Sequence, residues 1–84
     1  GWALRERRAD IVEDTERDTR WLPIPGLDSM RSVLVTPLLY GERALGVLTL
    51  AAPIPRHYTR RSLALTSALA AYAVTLLARG QYVE

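Results

Sequence analysis

Two extended apolar runs facing each other across three residues constrain this chain more than any other feature. Ser32-Val33-Leu34-Val35-Thr36-Pro37-Leu38-Leu39-Tyr40 and Ala44-Leu45-Gly46-Val47-Leu48-Thr49-Leu50-Ala51 flank Gly41-Glu42-Arg43. Both runs are dominated by Val, Leu and Thr, and Gly41 tolerates the positive φ of a tight reversal. The pattern predicts a β-hairpin with strands at 32–40 and 44–51. Apolar side chains fall on both faces of each strand, so the sheet needs cover from two sides. Pro37 has no N–H to donate and predicts a bulge or an unpaired ladder position at that point.

The rest of the chain has to supply that cover. Pro53 to Tyr58 reads as a loop, and Thr59 is an N-cap for a long helix over 60–79 stopped by Gly80. That helix carries two apolar seams, Leu65, Leu69, Tyr72 and Leu76 on one and Leu63, Ala70, Val74 and Leu77 on the other. One can pack on the sheet. The other, with Ala64, Ala68, Ala71, Ala73 and Ala78 permitting close approach, leaves room for a second helix. Upstream, 1–8 suits a short helix lying on a core by one edge, 10–14 a short strand, and 15–20 a polar loop. Trp21-Leu22-Pro23-Ile24-Pro25-Gly26-Leu27-Asp28 is broken by two prolines and a glycine, yet it is apolar and must cover something. The expected class is α+β: an antiparallel sheet with a short N-terminal and a long C-terminal helix, in one domain spanning 1–84.

Composition removes many functions. The 84 residues hold no Cys, which excludes disulfide scaffolds, thiolate metal sites and thiol catalysis. All 11 basic residues are Arg, but nine acids leave a formal charge of only +2. Glu6, Glu13, Asp14, Glu16 and Asp18 interleave with Arg5, Arg7, Arg8, Arg17 and Arg20, so no nucleic acid partner is expected. The longest apolar stretches are interrupted before the ~20 residues of a membrane span, and no signal sequence opens the chain; no membrane insertion and a cytoplasmic location are expected. No nucleophile–base pair, carboxylate dyad, phosphate loop or metal spacing appears, so no enzyme, no metal and no cofactor are expected.

The order of the pieces carries a resemblance. Gly1-Trp2-Ala3-Leu4-Arg5-Glu6-Arg7-Arg8 leading to Ile11-Val12-Glu13-Asp14, then Met30-Arg31-Ser32-Val33-Leu34-Val35-Thr36-Pro37-Leu38, then Leu45-Gly46-Val47-Leu48-Thr49-Leu50, then Tyr58-Thr59 opening a terminal helix, resembles the second half of a GAF domain. The resemblance implies a PAS-like antiparallel sheet with helices on one face and a small-molecule pocket under loops on the other. It also implies a sensory module joined to an output domain such as a histidine kinase, a diguanylate cyclase or a transcriptional activator. A further helix and two strands that open the family pattern have no counterpart here. Their absence would expose one edge of the strand at 44–51 and remove one wall of the pocket.

From the resemblance, Asp14, Arg31 and Ser32 correspond to pocket-lining or loop-pinning positions; an ion pair or an Asp-to-backbone bond that fixes the loop explains them equally well. Trp21, Leu27 and Met30 are candidates for the apolar wall of a pocket, or for packing of the loop itself. His57, flanked by prolines, has no orienting carboxylate nearby and reads as a solvated loop residue. Arg60 and Arg61 sit in the first helical turn, where the helix dipole disfavours cations, and read as surface residues. Bilin attachment and methionine sulfoxide reduction, both found in the family, need the Cys that is missing. The expected function is therefore a non-catalytic sensory or dimerisation module with little pocket of its own. It would form a homodimer in which Leu65, Leu69, Tyr72 and Leu76 supply the interface. The alternative is an intact small-molecule sensor whose pocket a partner chain completes.

Overall fold

A computed structural model describes residues 2–80. The elements run α1 (Trp2–Glu6), β1 (Asp10–Val12), β2 (Ser32–Tyr40), β3 (Arg43–Ala52) and α2 (Arg60–Gly80). The three strands form one antiparallel sheet in the order β1-β2-β3. The α+β class and the hairpin are therefore as expected, with differences at the boundaries. The first strand is shorter than 10–14: the chain bends at Glu13 because the Asp14 side chain and carbonyl cap the turn that follows, accepting from the amides of Glu16 at 3.0 Å and of Arg17 and Asp18 at 3.0 Å. The third strand gains Arg43 and Ala52, so the reversal is made by two residues. Gly41 takes φ +61° at the first turn position, as a two-residue hairpin requires. Gly80 is the last described residue of α2, and the connector expected at Tyr82, Val83 and Glu84 lies outside the described residues.

The irregularity attributed to Pro37 falls one step along. Pro37 keeps its place opposite Val47, and the register slips between Leu38 and Leu39, leaving Leu45 as the extra residue on β3. The α1 helix ends in a left-handed residue, Arg7 at φ 55°, with the Arg8 amide donating back to the Ala3 carbonyl at 3.3 Å.

The core lies on β2. Val33 and Leu34, on opposite faces of the pleat, are both fully buried, as is Val12 beside them on β1. The α2 helix packs mainly on β2, burying Thr66, Ala70, Val74 and Ala78, a stripe with a spacing of four. This corrects the expected inner seam: Leu63 and Leu77 flank it, and Leu77 is half exposed. Thr59 caps α2 as expected. Its Oγ1 accepts from the Ser62 amide, and Ser62 Oγ accepts from the Thr59 amide, both at 3.2 Å.

Cover on two faces, expected for the whole hairpin, is achieved only for β2. Along β3, Val47 and Leu50 point to opposite faces and are both substantially exposed. With five residues, α1 is too short to span the sheet, and among the described strands β3 pairs only with β2, so its outer edge is open. With no charged residue between Arg61 and Arg79, an 18-residue stretch of α2 reaches a mean hydropathy of 1.4, so that Arg60–Arg79 is long and apolar enough to cross a membrane by length and composition alone.

Candidate functional site

Two neighbouring concavities share a wall. The first is polar, about 490 Å³, and lies between β1, the turn after it and the start of α2. Its side chains largely neutralise one another. Arg20 donates to Asp10 at 2.8 Å and to Asp18 at 3.0 and 3.2 Å, and the Arg20 amide also donates to Asp18 at 2.8 Å. Arg31, just before β2, pairs with Asp14 at 3.1 Å and with Glu16 at 3.4 Å. Thr15 adds a hydroxyl bond to the Met30 carbonyl and an amide bond to the Arg31 carbonyl, both 2.9 Å. The loop from 13 to 31 is thus tied at both ends to the sheet it crosses.

The electrostatics follow from these contacts. The Arg31 guanidinium, with the Glu16 amide, holds the Asp14 carboxyl below its usual range. Burial opposes ionisation of Asp10, but the Arg20 guanidinium and the Ile11 amide at 2.7 Å outweigh it and lower that carboxyl too. Asp18 is lowered chiefly by its bond to Arg20. Arg20 and Arg31 are correspondingly held more firmly protonated. Such a cluster fixes a loop; it offers no group poised for proton transfer near neutral pH. Among the described residues no set of His, Asp and Glu is arranged to hold a metal ion. His57 is exposed and stands edge-on to Tyr58, ring centres 5.0 Å apart. Arg60 and Arg61 are exposed, and no acid lies within ion-pair distance of either among the described residues.

The second concavity is apolar and measures about 350 Å³. Val35 of β2 and Val47 and Thr49 of β3 form its floor, Ala3 and Leu4 of α1 one wall, and Trp21, Leu22 and Ile24 the other. It lies on the sheet face opposite α2: Val35 alternates with Thr36, which faces Ser67, Ala70 and Val74 of that helix. The wall at 21–24 is set by the polar cluster, because Arg20 borders both concavities and the Trp21 amide donates to the Asp18 carbonyl at 3.2 Å. Prolines at 23 and 25 prevent that segment from forming a regular element, and Leu22 and Ile24 remain 75% and 43% exposed.

The six candidate residues are therefore not one site. Trp21 lines the apolar hollow. Asp14 lines the polar one, with Arg31 as its ion-pair partner. Ser32 is fully buried and donates to the Ile54 carbonyl at 2.7 Å, pinning the loop before α2. Leu27 and Met30 are joined in consecutive turns, Leu27 to the Ile24 carbonyl and Met30 to the Leu27 carbonyl, and border neither concavity. Leu65, Leu69, Tyr72 and Leu76 all point outward from α2, 57%, 65%, 64% and 48% exposed. Sequence reasoning missed the Asp10–Arg20–Asp18 triad and the contribution of Leu4, Val35, Val47 and Thr49 to the hollow. The alternation of Val35, Val47 and Thr49 along the hairpin was the available signal for the floor, while Asp10 and Arg20 meet only because the loop folds back.

Comparison with known proteins places this geometry. A family model described as GAF domain matches residues 1–78. Among solved structures, the GAF domain of an Acinetobacter phosphoenolpyruvate-protein phosphotransferase superposes with a TM-score of 0.84 at 20% identity, covering 100% of this chain and 51% of that one. The GAF domain of cyanobacteriochrome TePixJ gives 0.80 at 22%, covering 98% and 54%. A type II free methionine-R-sulfoxide reductase from Thermoplasma acidophilum gives 0.77 at 18%, covering 89% and 52%. The chain thus spans about half the length of these structures, and at such identities they establish the fold alone. No curated protein matches it by sequence.

Proposed function

Because the chain belongs to the GAF domain family, a family of signalling and sensory modules, we propose that it serves as a non-catalytic dimerising sensory module of a signalling protein. The observation that supports this reading is the outward face of α2. Four large apolar side chains, Leu65, Leu69, Tyr72 and Leu76, repeat at spacings of four, three and four and are about half exposed or more. A helix already packed on a sheet by one stripe carries a second stripe of this regularity when another helix lies against it. Small residues at 64, 68 and 71 permit a close approach. An isologous pairing of two copies satisfies both faces at once. Dimer, cytoplasmic location and association with a kinase or cyclase in the same protein all belong to this proposal. The structural neighbours include free methionine-R-sulfoxide reductases. This chain has no Cys, and the carboxylates described in the polar concavity are taken up by arginines and backbone amides; both facts favour the non-catalytic reading.

A second reading, small-molecule sensing, is favoured by the apolar hollow, which has the volume of a small-ligand site without help from a partner. The open edge of β3 supports the variant in which a further strand deepens it.

The dimer reading is tested by replacing Leu69 with Cys in this otherwise Cys-free chain and oxidising it. A two-fold helix pair centred on the stripe brings the two thiols within bonding reach, giving a covalent dimer. Arg56→Cys, exposed and bordering the polar concavity rather than on the apolar stripe, serves as the control. Equal cross-linking at both positions, or at neither, contradicts the reading.

A further inference from the structure

The apolar hollow has a one-sided charge that its shape does not require. Among the described residues two arginines border it, Arg5 and Arg20, and no Asp or Glu does. Arg20 is engaged by Asp10 and Asp18. Arg5, in the last turn of α1, has no acid within ion-pair distance among the described residues. Glu6 follows it in sequence but pairs with Arg8 at 3.2 Å. The rest of the described floor and walls is aliphatic or aromatic, apart from Thr49 in the floor.

We infer that the hollow takes an apolar monocarboxylate, an aryl or alkyl acid whose hydrocarbon body lies between Trp21 and the Val35–Val47 floor and whose carboxylate pairs with Arg5. This rests on the small-molecule reading above and names its ligand class. The selection is physical. A neutral apolar molecule gains burial but leaves Arg5 unpaired, an amine placed at Arg5 is repelled by it, and a dianion or a sugar phosphate finds too little polar surface to replace its water. Guanidinium suits a carboxylate because it offers two parallel donors, and its planar face also packs beside an aromatic body. The Asp10–Arg20–Asp18 triad keeps the second arginine occupied, so one anionic group is favoured over two.

The test uses three probes with one hydrocarbon body: 4-phenylbutyrate, 4-phenylbutan-1-ol and 4-phenylbutylamine, titrated into the full chain by calorimetry. The carboxylate is expected to bind about fivefold more tightly than the alcohol, and the amine more weakly than either. Arg5→Gln removes the preference for the carboxylate while leaving the alcohol's affinity unchanged, and Arg5→Lys restores part of it. Val47→Trp, at a position already 45% exposed, fills the hollow and abolishes binding of all three without a demand on the core. Equal affinities for acid and alcohol overturn the inference and leave the apolar site standing. So does a carboxylate preference that survives Arg5→Gln. Absence of binding by every probe overturns the sensing reading of the hollow together with the inference.

Discussion

At the scale of single residues, buried polar groups carry the sharpest consequences. Ser32 is fully buried, and its hydroxyl meets the Ile54 carbonyl at 2.7 Å. Ser32→Ala deletes the donor and leaves that carbonyl to find another partner, so a loss of about 1–3 kcal/mol is expected in denaturant unfolding. Thr36 is the contrary case: its Oγ1 is buried with no hydrogen-bond partner. Thr36→Val keeps the shape and removes an unsatisfied group, and is expected to raise stability by about 1 kcal/mol. The carboxylates set the pH dependence. Asp10, Asp14 and Asp18 are all lowered from an ordinary value of 3.8 by their arginine partners and neighbouring amides. The unfolded chain therefore binds more protons than the folded one in the window just below that value. Stability is complete above about pH 4 and is lost as pH falls through the depressed values of the folded state. Acid titration followed by circular dichroism should show this limb, and Arg31→Ala should shift its midpoint upward; an unchanged midpoint would mean that the ion pair does not hold Asp14. Of these residues, Asp14 and Arg31 stood out in the sequence because each borders a regular element. Asp10 and Arg20 did not, since they stand ten positions apart, one in β1 and one in the loop after it, and only the completed fold brings them to 2.8 Å.

At the scale of elements, hairpin and helix were legible because each is specified locally. Gly41 placed the reversal and Thr59 the start of α2. Thr59→Ala removes the acceptor for the Ser62 amide and is expected to lower stability by about 1 kcal/mol, while Thr59→Asp should cost little. Boundaries decided by tertiary contacts were less legible. Strand β1 ends at Val12 because Asp14 caps a turn, and Ala52 joins β3 because the Arg31 amide donates to its carbonyl at 2.8 Å across the sheet. The two seams of α2 were both visible in the sequence, but their roles were settled by side-chain size. Thr66, Ala70, Val74 and Ala78 let the helix sit close on β2, whereas Leu65, Leu69 and Leu76 would hold it away. The most apolar stripe thus faces outward.

At the scale of the whole molecule, the apolar hollow and the outer face of α2 lie on different sides of one sheet, with buried β2 between them. Val33 and Leu34 each anchor one face, and Leu34→Ala is expected to cost about 2–5 kcal/mol and to weaken packing of α2. The arrangement lets the hollow and the helix face be tested separately. The central claim concerns the helix face and is tested most directly by the molar mass of the chain in solution, measured by light scattering across a dilution series for the native sequence and for Leu69→Glu. A native dimer that persists to low micromolar concentration, with a folded monomer for the variant, is the predicted result. A compact native monomer, or a dimer that Leu69→Glu leaves intact, would contradict it.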